Sequence, residues 1–293
     1  MARLLPILLV QAPSRRIDTE LQVFEDDLEE LLADYQETRL VVFPEIHLCG
    51  ATGTPTQRAE QLEKSAQPID GPRTRQLIDI ARKYNIWLIP GTLCERAQDG
   101  SLYNTAIVIS PDGTVAATYR KCFPWRPYEP YKPGQEFAVF EIPEIGLIGL
   151  AICYDIWFPE VVRQLAWMGA EVIINPAQTS TIDRAHEILL VRANSIFNQV
   201  FMVSINASSP SGTGQSLVTD PEGNIRIKSP SEAPTVLTDV LNLDEVSRVR
   251  TYGTAGLNRI WHHFKEGDRP LELPAYEGRI DPVRWSSNLK HDC

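Results

Sequence analysis

Gly146-Leu147-Ile148-Gly149-Leu150-Ala151-Ile152-Cys153-Tyr154-Asp155-Ile156-Trp157-Phe158-Pro159-Glu160 contains the transition that decides how this chain is read. An apolar run of strand length stops against Cys153, and a helical pattern follows. Pro159 suits the first turn of that helix, Val161, Val162, Leu165, Ala166 and Met168 recur at roughly helical spacing, and Gly169 ends it. A turn of this kind lifts a thiol above the sheet edge, where the first helical N–H groups and the positive end of the helix dipole favour the thiolate. Taken alone, the pattern fits a buried structural cysteine better than a nucleophile, because free cysteine is among the most buried residue types.

Working outward, strands and helices alternate. A strand at 4–10 precedes Ile17, Leu21, Phe24, Leu28, Leu31, Leu32 and Tyr35, whose steps of mostly three or four make one apolar helix face. A strand to Phe43, a helix after Pro72 with Leu77, Ile80, Ala81 and Tyr84, and a strand at 86–89 come next, and two more strands flank the Pro111-Asp112-Gly113 turn. The second half repeats the order, with strand 146–152, helix 159–168, strand 171–175, helix 185–198, strand 200–206 and a hairpin around Pro221-Glu222-Gly223. Two α/β halves of this kind predict two sheets packed together with helices outside.

Two further apolar stretches deliver an ionisable residue at their ends. Arg39-Leu40-Val41-Val42-Phe43-Pro44 leads to Glu45, and Ala116-Ala117-Thr118-Tyr119-Arg120 leads to Lys121. Chemistry on a carbonyl needs a nucleophile, a proton shuttle and a donor for the developing oxyanion, and Cys153, Glu45 and Lys121 are suited to those three tasks. Each also has a plain reading. Glu45 and Glu129 fit solvated loop acids, and one of Arg120 and Lys121 is a surface charge.

Phe43-Pro44-Glu45, Arg120-Lys121 with Glu129 eight residues on, and Cys153-Tyr154-Asp155 with Phe158-Pro159-Glu160 resemble the Glu, Lys and Cys motifs of the nitrilase superfamily of carbon–nitrogen hydrolases. Their order and wide spacing also match, over roughly residues 4 to 245. Arg192-Ala193-Asn194 with Asn198 and Val203, and Gly214-Gln215-Ser216 with Pro221-Glu222-Gly223, add weaker support, since Gly and Pro punctuate turns in any fold.

The resemblance implies a four-layer αββα sandwich, where periodicity alone gives only α/β. It implies a catalytic domain over residues 1–248 and a C-terminal arm over 249–293, of the sort that family members lay across a subunit interface in a homodimer or higher homo-oligomer. The implied catalytic residues are Glu45, Lys121, Glu129 and Cys153, with the Tyr154 N–H beside Lys121 at the oxyanion. Cys153-Tyr154-Asp155 is the form many amidases carry, whereas true nitrilases usually have Cys-Trp-Glu, so a small-molecule amide is the expected substrate. The stretch from Asp155 to Glu160 is also similar to N-carbamoylputrescine amidases. Ile156 and Trp157 stand where hydrolases of N-carbamoyl-D-amino acids carry paired arginines, which leaves a cation such as Arg126 to meet any substrate carboxylate. Trp125, Tyr128, Tyr131 and Trp157 make the surroundings aromatic, and Tyr154, Trp157, Trp125 and Tyr128 are the expected substrate-binding residues.

Composition limits the alternatives. The 293 residues and 43% hydrophobic content suffice for one large α/β core. A net charge of −10 argues against nucleic acid or an anionic membrane as partner. The apolar start at Leu4–Val10 is too short to span a bilayer. Cys49, Cys94, Cys122, Cys153 and Cys293 are odd in number and form no Cys-x-x-Cys pair, so a reducing, cytoplasmic setting is expected and no disulfide framework. His262-His263 and His186-Glu187 lack a second histidine at helical spacing, and Gly212-Thr213-Gly214 lacks the lysine of a phosphate loop; neither a metal nor another cofactor is expected.

Overall fold

Leu5, Ile7 and Leu9 point to one side of β1 (Leu4–Gln11) and Leu8 and Val10 to the other, and all five are buried. A strand covered on both faces reads as a continuous apolar run, and this run sits between a second sheet and a helical layer. The computed structural model describes residues 2–273 and 278–280.

In the first half, β1 is followed by α1 (Leu21–Asp34), β2 (Leu40–Val42), α2 (Pro55–Ser65), α3 (Pro72–Tyr84), β3 (Trp87–Ile89), β4 (Thr92–Arg96), β5 (Leu102–Ile109) and β6 (Val115–Arg120). The second half contains β7 (Val139–Ile142), β8 (Gly146–Leu150), α4 (Pro159–Trp167), β9 (Val172–Ala177), α5 (Arg184–Asn198), β10 (Phe201–Asn206), β11 (Leu217–Thr219), β12 (Ile225–Lys228), β13 (Thr235–Asn242) and α6 (Asp244–Tyr252). One sheet runs β13-β1-β2-β3-β5-β4, with β6 also on β5, and the other runs β12-β11-β10-β9-β8-β7. Pairing is parallel for β1–β2, β2–β3, β8–β9 and β9–β10, and antiparallel elsewhere.

The sheets meet face to face. Leu5, Leu9, Val42 and Ile89 from one join Phe140, Leu150, Ile174 and Val203 from the other in a single apolar cluster. On the far side of the first sheet, Leu8, Val41 and Leu88 pack with Phe24 and Leu28 of α1 and Leu77 and Ile80 of α3. α4 lies on β8 and α5 on β10, which completes the expected four-layer αββα sandwich. Gly149 lets α4 come close, because a Cβ there would sit 2.9 Å from Ile173 Cδ1 and 3.2 Å from Leu165 Cβ.

Several elements go beyond the sequence reading. α2 has few apolar residues, so periodicity missed it; its signal is the Thr54–Gln57 capping box with Pro55 in the first turn. β4, β7, β13 and α6 were also unanticipated. The compact body runs through Arg259, and α6 lies across residue 248. Residues 260 onward form a separate small unit with a 3₁₀ turn at Ile260–His262. The polar 286–292 stretch and Cys293 belong to the expected arm but lie outside the described residues. No helix among the described residues is long and apolar enough to cross a membrane, and none of their His, Cys, Asp and Glu side chains gather in a group able to hold a metal.

Candidate active site

Beyond β2, the Phe43 N–H still bonds the Ile89 carbonyl at 2.9 Å, and Pro44 then carries the chain into a turn in which Ile46 has φ +56°. The turn rests on Gly91 (φ +89°), where a Cβ would lie 1.9 Å from the Pro44 carbonyl oxygen, so only glycine admits this approach. Glu45 is thereby buried, 3% exposed. Its Oε1 accepts from Lys121 Nζ at 2.9 Å and Asn104 Nδ2 at 2.7 Å, and its Oε2 accepts from the Gln178 backbone N–H at 2.9 Å.

Strand alternation resolves which of Arg120 and Lys121 is internal. The Lys121 N–H bonds the Asn104 carbonyl at 2.9 Å, extending the β5–β6 ladder by one residue, so the two side chains leave opposite faces. Arg120 pairs with Glu95 at 2.5 Å and stacks over Tyr103, whereas the Lys121 side chain is fully enclosed. Lys121 Nζ reaches Glu129 Oε1 at 2.6 Å as well as Glu45. Burial opposes the ammonium, but the charges of Glu45 and Glu129 more than offset it and hold the lysine well above its usual pKa. Burial raises the Glu129 carboxyl, Lys121 pulling the other way. Glu129 Oε2 is buried with no protein partner among the described residues.

Cys153 opens a 3₁₀ turn, Cys153–Trp157, in the left-handed region at φ +47°. α4 starts at Pro159 as the spacing predicts, and this turn separates the thiol from it, which counts against the expectation that the helix N-terminus favours the thiolate. Although part of Cys153 reaches the cavity, burial and then the Glu45 charge push the thiol well above its ordinary pKa, with Lys121 opposing them. The resting sulfur is therefore a neutral thiol.

Asp155 anchors the turn. It is fully buried, with Oδ2 accepting from the Ile152 N–H at 2.9 Å and Tyr119 OH at 2.8 Å and Oδ1 from the Phe123 N–H at 2.9 Å. One carboxylate thus ties the nucleophile turn to the segment that carries Lys121. Burial raises its pKa to about 6, against the pull of Lys121.

Glu45, Glu129 and Cys153 line one cavity of about 650 Å³. Trp125, Tyr128 and Tyr154 also lie on its wall, the first two packed ring against ring with centroids 4.3 Å apart. Trp157 is not on the wall; it packs between Tyr154 and His186, because the 3₁₀ turn carries it away. Arg126 is exposed and off the wall, and the arginine that does line the cavity is Arg58 of the unanticipated α2. The sequence does not single out Asn104, Gln178 and Thr179, and it offers Glu187 only as half of the His186-Glu187 pair set aside as a metal motif; all four line the cavity. Arg184 and Glu187, three apart on α5, form an ion pair at 3.0 Å and both are buried.

Residues 9–251 match the carbon–nitrogen hydrolase family. The chain belongs to that family. This carbon–nitrogen hydrolase is 30% identical over 223 residues to an (R)-stereoselective amidase of Pseudomonas sp., covering 73% of this chain and 77% of that one. It is 30% identical over 207 residues to the deaminated glutathione amidase of Rattus norvegicus, an alignment that takes in 64% of this chain and 63%, less than two thirds, of the rat protein. Among solved structures, Saccharomyces cerevisiae Nit3, a member of branch 10 of the nitrilase superfamily, superposes with a TM-score of 0.76 at 26% identity, covering 85% of this chain and 94% of Nit3. The carbon–nitrogen hydrolase is therefore an enzyme of the nitrilase superfamily, as its motifs imply.

Proposed function

We propose that this enzyme is an amidase that hydrolyses small carboxylic amides to acid and ammonia through a thioester on Cys153. The observation that carries the reading is a single buried carboxylate, Glu45, fixed by Lys121, Asn104 and the Gln178 N–H on the cavity wall that also holds Cys153. The amidase names of the two relatives support it.

Because the thiol is held neutral, Glu45 takes its proton as sulfur attacks the amide carbon. The carbonyl oxygen becomes an oxyanion. Lys121 meets it with the one ammonium hydrogen that Glu45 and Glu129 leave, beside the Tyr154 N–H. Glu45 then gives its proton to the nitrogen, the C–N bond breaks and ammonia leaves. In the second half Glu45 takes a proton from water as the water oxygen attacks the thioester, and returns that proton to the departing sulfur. Glu129 holds Lys121 and offers Oε2 to an N–H of the substrate. Trp125, Tyr128 and Tyr154 flank the acyl group.

In the same reading, residues 1–248 are the catalytic domain and 249–293 an arm at the interface of a cytoplasmic homodimer or larger homo-oligomer. Outward apolar side chains support it: Trp167 and Leu189 on α4 and α5 are 73% and 61% exposed, and Phe264 and Leu271 are 68% and 72% exposed. The four described cysteines are free, which suits a reducing setting. Sedimentation velocity on the full chain tests the assembly.

Ammonia release from a panel of simple amides, N-carbamoyl compounds and nitriles, with Cys153→Ala in parallel, tests the activity. Release from amides that vanishes in the variant supports the reading. Release only from N-carbamoyl compounds or nitriles replaces it.

A further inference from the structure

A second buried charge pair lies beside the nucleophile, and the mechanism above does not use it. Arg184 and Glu187 are 1% and 3% exposed, and Arg184 Nη1 bonds Glu187 Oε2 at 3.0 Å. The guanidinium is held further by Ser204 Oγ at 3.2 Å and the Gln215 carbonyl at 3.1 Å. Glu187 lies on the cavity wall with Thr179, whose Oγ1 is 2.9 and 2.7 Å from the two Glu187 oxygens and 3.8 Å from Cys153 Sγ.

A threonine hydroxyl has one proton. With a carboxylate gripping Oγ1 at both short distances, that proton goes to Glu187, and the hydroxyl presents only lone pairs to the sulfur. The contact to Cys153 is then one in which S–H donates and Thr179 accepts. We propose that Thr179, locked by the Arg184–Glu187 pair, is a positioning residue that holds the Cys153 thiol in its protonated form, aimed and neutral, until substrate arrives.

Two effects act in the same direction. An acceptor for S–H stabilises the neutral thiol, and a nearby negative charge disfavours the thiolate, Glu187 being among the groups that raise the cysteine. The other charged groups are Glu45 after β2, Lys121 after β6, Glu129 further along the same loop, Asp155 in the Cys153 turn and Arg184 behind Glu187; Glu45 and Glu129 raise the thiol with Glu187 and Lys121 lowers it, while Arg184 is already paired with Glu187. The arrangement keeps the sulfur from reacting with stray electrophiles while Glu45 remains available as base.

The inference builds on Cys153 as nucleophile in the proposed amidase, but its test needs no amide turnover. The full-length protein is treated with iodoacetamide across a pH series, and alkylation is followed at the Cys153 peptide by mass spectrometry, apart from Cys49, Cys94, Cys122 and Cys293. Thr179→Val keeps the buried ion pair and removes the acceptor. Its alkylation midpoint should fall by about one pH unit, with Thr179→Ser close to the parent. Glu187→Gln, which removes the charge, should lower the midpoint at least as far; if it does not fold, Thr179→Val alone decides. An unchanged midpoint in Thr179→Val overturns the proposal, as does a Thr179→Ser midpoint that moves as far as that of Thr179→Val. Loss of amide turnover with the expected midpoint shifts leaves it standing, and absence of any amidase activity leaves the alkylation result equally readable.

Discussion

The Lys121 group and the Arg184 group both bury a cation close to Cys153, but they are assembled and balanced differently. The first draws Glu45 from the loop after β2 and Lys121 and Glu129 from the one after β6, and sets two carboxylates against one ammonium. The second joins residues three apart on one helix, one charge against one, and shares its carboxylate with Thr179. An unbalanced group in low dielectric disfavours full ionisation of its acids, and burial raises the Glu129 carboxyl accordingly. A balanced pair has less reason to change state and acts as a fixed support. In the proposed mechanism, proton traffic belongs to the first group and positioning to the second.

Removing the sulfur between the groups should have the largest effect. Cys153→Ser is expected to lower ammonia release on the order of a thousandfold or more while leaving the thermal midpoint near that of the parent, since a hydroxyl is a far poorer nucleophile. Near-normal turnover breaks the comparison at its centre. Glu45→Gln should cost about a hundred- to ten-thousandfold in kcat by removing the general base.

Lys121→Ala should slow thioester formation by about a hundred- to a thousandfold, measured in single-turnover experiments. If only KM changes, Lys121 binds substrate and the first group is a support like the second. Arg184→Met tests the opposite role: stability to urea should drop by about 3 to 5 kcal/mol because Glu187 is left unpaired, with a smaller effect on thioester formation than Lys121→Ala has.

The smallest expected effect concerns Asp155, which joins the nucleophile turn to the Lys121 segment. Its folded pKa of about 6 stands above the ordinary 3.8, so the folded state holds the extra proton between those values. The associated stability is present below about pH 4 and is lost as pH rises to about 6, to an extent of roughly 3 kcal/mol. Urea titrations across that window should show a steeper decline for the parent than for Asp155→Asn, which has no charge to bury.

Much of this was legible in the chain. The apolar run ending at Cys153, the strand before Glu45 and the strand before Lys121 stand at the predicted places, and the order of the central elements follows from local periodicity. The misses have local causes. α2 is too polar for its pattern to register, and β13 alternates exposed and half-buried residues because it lies at a sheet edge, recognisable only through its pairing with β1 across the fold. Trp157 could not be told from Trp125 by residue type, because the direction of an aromatic ring depends on the 3₁₀ turn beneath it.

By itself the sequence determined the α/β class, the place of Cys153 at a strand end and the strands that precede Glu45 and Lys121, since periodicity and strand ends are properties of neighbouring residues. Tertiary structure alone decided that Lys121 and not Arg120 turns inward, that Glu187 lies on the cavity wall with Glu45 and Glu129, and that burial and nearby carboxylates raise the Cys153 thiol. Those outcomes depend on burial and on charges brought together from distant segments, and spacing along the chain encodes neither.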